Sequence, residues 1–493
     1  MHLRRLALAA ALAAASVLDA PVADAQPIRL HPDNPHYYLF RRKPTVLVTS
    51  GEHYGSVLNP DFDYETYLAT LARDGLNYTR MFTGSYFEPQ GAFGIAHNTL
   101  APAGARALIP WARSTTAGYA GGGNKFDLDR WDDAYFRRLH DFVRRAGQQG
   151  IVVEVTLFSS IYGDAQWKVN PLNPANNVNG TDSMPLQRVH TLRNGGLFAR
   201  QERMVRKIVH ELNAYDNVIY EIQNEPWSDN HLLAGAVNSY LPDWRSEWRN
   251  SVQLANEASL AWQARIAAII RDEERTLPNR HLIAQNYGNF GYPLPAIDSA
   301  VSIINFHYAY PEAVGLNYGW QRPVTVDETG FAGSADSTYR RQAWHFLLAG
   351  GGLFDNLDYS FTTRRPDGTD VNEAPGGGSA ALRRQLGVLK RFIEQFDFVR
   401  MRPDRNVVAL APGAFRQALA EPGKAYAIYL DAPLTGDLEV DVPAGDYEAT
   451  WIDALTGDTL RTGMVRHGGG RLRLPPPTYP HEAAVRLLRR TSP

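Results

Sequence analysis

Short runs of apolar and β-branched residues recur along this chain, and nearly all of them end in polar or aromatic side chains. Such runs are predicted at residues 44–49, 76–82, 151–158, 217–227, 281–286, 301–307, 323–328 and 351–357. Continuous rather than alternating hydrophobicity suits strands buried on both faces. Between them lie segments with helical spacing, at 63–74, 133–149, 197–213, 257–274, 338–348 and 381–396, with Gly75 and Gly150 as stops. Eight strands alternating with helices predict a (β/α)8 barrel. A doubly wound sheet would need a Gly-rich phosphate turn after its first strand, and none is present; Gly121 to Gly123 fall in a loop.

The texture changes beyond Arg402-Pro403. Short strands at 407–410, 425–430, 438–442, 447–452 and 483–488, divided by Gly, Pro and Asp turns, predict a small all-β sandwich. The expected organisation is a signal peptide over 1–25, a catalytic barrel over 26–400 and an accessory sandwich over 401–493. Two connections are too long for plain turns, 84–132 and 159–196. Both leave the C-terminal face, where barrel enzymes build their sites, and they carry Trp111, Tyr119 and Trp167. They read either as one wall of a substrate pocket or as surface decoration.

Composition narrows the classes. With 493 residues, two domains are expected, and 44% hydrophobic with 21% charged residues is the balance of a globular protein. A formal net charge of −2 gives no bulk attraction to nucleic acid or to an anionic membrane. Cysteine is absent, which excludes disulfides, thiolate metal sites and cysteine nucleophiles. Arg4 and Arg5, the apolar stretch 6–18 and Ala23-Asp24-Ala25 have the form of a cleaved export signal, and Asp19 cuts the run short of the ~20 residues a membrane span needs. The expected location is the periplasm or the medium, without membrane insertion.

Two strand ends carry the candidate chemistry. Asn224-Glu225-Pro226 follows the fourth run and Asp327-Glu328 closes the seventh. They lie about 100 positions apart, close to the ~93 expected for three barrel units of ~31 residues, so the two carboxylates would face one another across the mouth. Such a pair can cleave an acetal, one carboxyl protonating the leaving oxygen while the other attacks or activates water. The acid needs a raised pKa, which a neighbouring carboxylate is expected to supply. H-E-x-x-H, P-loop and G-x-S-x-G motifs are absent, as is any histidine cluster for a metal, so neither metal nor cofactor is expected.

The Asn-Glu-Pro motif and the strand-seven Glu resemble clan A retaining glycoside hydrolases, the barrel group of many cellulases, mannanases and β-galactosidases. The resemblance spans roughly residues 36–396 at the level of strand-end motifs. It implies Glu225 as acid/base, Glu328 as nucleophile, Asn224 bonding the sugar 2-hydroxyl, and Arg80 pairing with the nucleophile. His307, with either Tyr308 or Tyr310, resembles the clan's histidine and tyrosine beside the nucleophile. Strand three ends Leu157-Phe158-Ser159 without the histidine common in cellulases, and strand eight lacks a stacking Trp, so neither branch's substrate carries over. Trp227, Glu52, His53 and Tyr54 are further candidate sugar contacts. The segment 445–457 resembles β-domains that follow barrels in bacterial glycosidases, including apiosidase-like enzymes, and its Trp451 reads as a sugar platform or as core. The expectation is an exported retaining glycoside hydrolase acting on a β-linked poly- or oligosaccharide. A non-catalytic carbohydrate-binding barrel and an inverting enzyme are the alternatives.

Overall fold

The computed structural model describes residues 26–103, 106–371 and 376–490; the expected signal peptide lies outside these. Eight parallel strands form the barrel: β1 (Leu47–Gly51), β2 (Tyr78–Phe82), β3 (Val152–Ser159), β4 (Val218–Asn224), β5 (Leu282–Asn289), β6 (Ile303–His307), β7 (Val324–Glu328) and β8 (Leu353–Leu357). Ladder bonds run from β2 through β3 to β8 and on to β1. The seam between β1 and β2 is closed by a side chain. Asn77 accepts from the Val48 amide at 2.9 Å and donates to the Val46 carbonyl at 2.9 Å. Its own backbone N–H reaches the Val48 carbonyl at 3.3 Å.

Besides a short helix at Asp164–Val169 in the connection after β3, the helices are α1 (Tyr64–Arg73), α2 (Asp133–Gln148), α3 (Leu197–Leu212), α4 (Glu257–Glu274), α5 (Glu312–Asn317), α6 (Asp336–Leu348) and α7 (Ala380–Ile393). Asp63 and Asp132 begin α1 and α2 by accepting two backbone N–H bonds each, which satisfies donors that a helix start leaves free. Among the described residues β5 passes to β6 without a helix. Beneath the barrel a three-stranded sheet (Arg29–Leu30, Tyr38–Phe40, Lys43–Thr45) places Ile28, Tyr38 and Phe40 against the starts of the barrel strands. The first expected strand therefore divides, with Thr45 in this lower sheet and Leu47 beginning β1.

The long connections contain more structure than their composition suggests. A hairpin (Trp111–Ala117 with Asn124–Trp131) follows β2, and another (His231–Ala236 with Ser251–Ala255) follows β4. Trp111 and Tyr119 are buried. The C-terminal region holds a six-stranded and a three-stranded antiparallel sheet, the expected sandwich, and Trp451 lies in its core. Leu419, Ala427 and Tyr429 of the larger sheet join the barrel's hydrophobic core, and Tyr429 stacks on Trp344 of α6 at 5.0 Å. Among the described residues no helix is long and apolar enough to cross a membrane.

Candidate active site

The barrel interior is polar below its mouth. Arg80 of β2, fully buried, gives a two-pronged bond to Glu221 of β4 at 2.8 and 2.6 Å. The same guanidinium donates to Asn224 at 2.8 Å and to Glu328 at 3.2 Å, and lies 4.7 Å from the Tyr54 ring centroid. A planar five-donor fork suits this work, because one lysine could not serve three acceptors in fixed directions. Burial pushes the Glu221 carboxyl up to about 7 against the pull of Arg80. Asp327, one residue before Glu328, faces inward and accepts from Asn286 at 3.0 Å and Asn305 at 2.8 Å. Burial would raise its carboxyl, but Arg80 and then His307 outweigh this and hold it at about 2.

Above this layer stand the two strand-end glutamates. Glu328 accepts from the Tyr54 hydroxyl at 3.1 Å and from the Tyr308 hydroxyl at 2.8 Å. Glu225 accepts from His307 Nδ1 at 3.0 Å and from Tyr162 at 2.7 Å, and its oxygen beside His307 lies 3.1 Å from the same Tyr308 hydroxyl. Carboxylate oxygens of the two glutamates lie within 4.8 Å of each other. That separation is near the ~5–5.5 Å of retaining glycosidases and short of the ~6.5–9.5 Å that leaves room for an inverting water.

Backbone strain aims these groups. Glu225 has φ +47°, and the aromatics Tyr54, Phe290, Tyr308 and Phe331, all on loops at the mouth, have φ from +55° to +64°. Left-handed conformations in bulky residues cost of order 1–3 kcal/mol each and persist only where neighbours enforce them. Glu225 is enforced from both sides: its N–H donates to Asn286 at 3.2 Å, and its carbonyl accepts from Ser160 Oγ at 2.5 Å. Of these strained residues, Glu225, Tyr54, Tyr308 and Phe331 line the pocket at the barrel mouth.

The charge state of Glu225 is the reverse of the expectation. Burial pushes its carboxyl up, but the hydrogen bond and charge of His307, followed by Tyr162 and Tyr308, hold it below the usual carboxylate range. His307 can do this because it is itself charged. Burial lowers it, but Glu328 and Asp327 outweigh burial and raise it to about 10. The neighbouring carboxylate thus acts on Glu225 through a shared imidazolium.

Of the residues named from sequence, Glu225, Glu328, Asn224, Arg80, His307, Tyr308 and Tyr54 meet here, and His53 lines the same pocket. The paired tyrosine is Tyr308; Tyr310 is 48% exposed outside the pocket and stacks on Phe290. Trp227 is buried edge-on against His307, 5.2 Å between centroids, and so braces the imidazole without lining the pocket. Glu52 is fully buried away from the pocket, its oxygens taken by Ser56, Thr99 and the Gly55 amide. A strand-end carboxylate can be satisfied by its own loop, and this one is. Tyr162, Tyr86, Glu88 and Phe93, from the two long connections, line the pocket and were not singled out in the sequence. Tyr162 accepts from Asn224 at 2.8 Å while donating to Glu225, which ties the amide to the acid.

Among the described residues two groups have the spacing of metal ligands: Glu225, His307 and Glu328, and Glu154, Glu221 and Asp327. Cations of the chain already serve both. His307 donates within the first, and the Arg80 guanidinium bonds Glu221 and lies 3.5 Å from Asp327 in the second.

A barrel whose mouth holds two facing carboxylates, an amide and a guanidinium has the arrangement of a glycoside hydrolase. The family model described as Cellulase (glycosyl hydrolase family 5) matches residues 59–312, just over half of the sequence, and the chain belongs to that family, one of retaining glycoside hydrolases. Similar solved structures include a glycoside hydrolase at 12% identity and TM-score 0.63, with 94% of this chain and 97% of that one covered. A family 5 glycoside hydrolase from Bacteroides vulgatus matches at 11% identity and TM-score 0.63, covering 94% and 93%. A putative glycoside hydrolase from the same organism matches at 13% and 0.64, covering 95% and 83%. At these identities the likeness is one of fold, and its extent takes in the sandwich as well as the barrel. No curated protein matches.

Proposed function

We propose that this enzyme is exported and hydrolyses β-glycosidic bonds of a poly- or oligosaccharide by double displacement, with Glu225 as acid/base and Glu328 as nucleophile. The observation that carries the reading is the separation of the two carboxylates, within 4.8 Å and spanned by the Tyr308 hydroxyl. In the first step a Glu328 oxygen bonds to the anomeric carbon as the bond to the leaving oxygen breaks, and the Glu225 proton passes to that oxygen. In the second, Glu225 takes a proton from water, the water oxygen attacks the anomeric carbon, and Glu328 leaves as carboxylate. Arg80 and Tyr54 stabilise the departing charge on Glu328. Asn224, held by Arg80 and Tyr162, is placed to bond the sugar 2-hydroxyl.

The test compares wild type with Glu328→Ala on aryl β-glycosides and plant polysaccharides. Turnover that disappears in the variant, and returns with azide as a glycosyl azide of inverted configuration, is the expected result. Undiminished turnover by the variant, or sugar binding without turnover by wild type, would overturn the assignment. Export is tested by expressing the full chain in a Gram-negative host and sequencing the mature N-terminus, expected after Ala25; a retained cytoplasmic chain would sink it.

A further inference from the structure

The pocket contains a third carboxylate that double displacement does not use. Glu88, on the long connection after β2, lines the pocket yet is only 5% exposed. Its Oε1 lies 3.4 Å from His53 Nε2 and accepts from the Tyr86 hydroxyl at 3.2 Å, and its Oε2 accepts from Asn98 at 2.5 Å. A carboxylate offers about four acceptor positions, so at least one remains free. The other ring nitrogen of His53 is buried without a partner. Burial pushes the His53 imidazole down, but the charge and hydrogen bond of Glu88, with Glu328 and Glu52 behind them, hold it above its ordinary value. A carboxylate with a free acceptor position, held beside an imidazole, suits a sugar hydroxyl that can donate to it.

The position of this pair says which sugar it meets. A line from Glu225 on β4 to Glu328 on β7 leaves the loops after β5 and β6 on one side, and those after β8, β1, β2 and β3 on the other. The Asn224 amide reaches into the second half, accepting from Arg80 of β2 and donating to Tyr162 beyond β3. With the 2-hydroxyl at Asn224, the sugar under attack lies over that half, where His53 and Glu88 stand after β1 and β2.

That wall is fixed in place. The Glu88 N–H donates to the Leu100 carbonyl at 2.8 Å. The neighbouring Thr99 donates to buried Glu52, and its carbonyl accepts from Asn59 at 3.0 Å. Gly55 approaches the same peptide so closely that an added Cβ would sit 2.2 Å from it. Glu52 therefore anchors the segment that presents Glu88. Leu100 and Phe93 stand in the same wall.

We infer that Glu88 and His53 form a hydroxyl-reading clamp that makes the enzyme specific for one neutral sugar on the non-reducing side of the bond it cleaves. This rests on the double-displacement reading and adds the substrate class to it. The pocket lining carries the carboxylates Glu88, Glu225 and Glu328 against the single imidazole of His53, and neither lysine nor arginine, so an acidic sugar would meet net repulsion there.

The test measures binding apart from turnover. Calorimetry on Glu328→Gln, with and without Glu88→Gln, would use 4-nitrophenyl β-glucoside, β-galactoside, β-mannoside, β-xyloside and β-glucuronide. Glu88→Gln is expected to raise Kd at least tenfold for the tightest-binding neutral glycoside, and to bring the glucuronide closer to it. A monodeoxy form of that neutral glycoside, lacking the clamped hydroxyl, should lose at least tenfold on the parent and under threefold on the Glu88→Gln variant. The idea is overturned by a Kd change under twofold, by an equal loss on every glycoside, by a glucuronide that binds the parent as tightly as the neutral sugars, or by no binding of any neutral glycoside. Turnover by Glu328→Ala, measured separately, bears on the catalytic assignment and leaves these binding outcomes distinct.

Discussion

His307 Nδ1 lies 3.0 Å from a Glu225 oxygen, and through that contact a buried imidazolium sets the proton affinity of the proposed acid. Glu225 must carry a proton to cleave the glycosidic bond, yet His307 holds its carboxyl below the usual range. The protonated fraction then falls as pH rises through that lowered value. The pH profile of kcat/KM, which reports the free enzyme, should show its alkaline limb on the acid side of neutrality. His307→Gln removes the positive charge, so the Glu225 pKa rises and the limb moves to higher pH. A limb that stays in place or moves to lower pH would show that His307 does not control Glu225.

The same residues link stability to pH. The His307 pKa in the folded chain is raised from 6.5 to about 10, so its stabilising contribution is fully present below 6.5 and is lost as pH rises through 10. The Asp327 pKa is lowered from 3.8 to about 2, so its contribution is present above 3.8 and is lost as pH falls through 2. From these two groups alone, urea midpoints would hold level between roughly pH 4 and 6.5 and decline on both sides. His307→Gln should flatten the alkaline decline. An unchanged slope from pH 6.5 to 10 in that variant would place the pH dependence elsewhere.

Most of the barrel was legible because a parallel strand buried on both faces reads as a largely apolar run, as 151–158 does. Glu225 and Glu328 were legible because each follows its run directly. Glu221 and Asp327 were not singled out, because an inward polar residue inside a strand breaks no period. Tyr162 and Glu88 were hidden for another reason: they sit in long connections whose own hairpin and short helix leave no signal that points to the mouth. The left-handed backbone of Glu225 and Tyr308 was invisible too, since no glycine marks it. Glu52 misled because its surroundings in sequence match those of a sugar contact, while its actual partners lie partly at Thr99, far along the chain.

Asp355 of β8 offers a stabilising change. It is 1% exposed, and neither side-chain oxygen has a hydrogen-bond partner. Burial first, opposed by Arg80 and by the nearby Gly51 amide and reinforced by Asp327 and Glu328, drives its pKa well above 3.8. A carboxyl raised in this way costs stability as pH climbs above its unfolded value, because the unfolded chain can ionise and the folded one resists. Asn is near the neutral acid in shape and carries no such penalty. Asp355→Asn should raise the urea midpoint at pH 7 to 8 and change it little at pH 4. A loss of stability at pH 7 would mean that the charged form has a partner in solution.

The last relationship joins the two domains. Glu482, at the edge of the sandwich and 1% exposed, accepts a two-pronged bond from Arg340 of α6 at 2.6 and 2.9 Å, and another from Arg341 at 2.9 Å. Breaking a buried pair from one side costs about 3–5 kcal/mol, because the remaining charge has lost its solvent and its partner. Glu482→Ala should therefore lower stability by about that much. Arg340→Met combined with Glu482→Leu should recover most of it, because no buried charge is then stranded. Since Trp344 and Tyr429 continue the barrel core into the sandwich, both domains should unfold in one transition, seen equally by tryptophan fluorescence and far-UV circular dichroism. Two separated transitions in the wild type, or a double variant no more stable than Glu482→Ala, would show that the sandwich is only loosely tethered to the barrel.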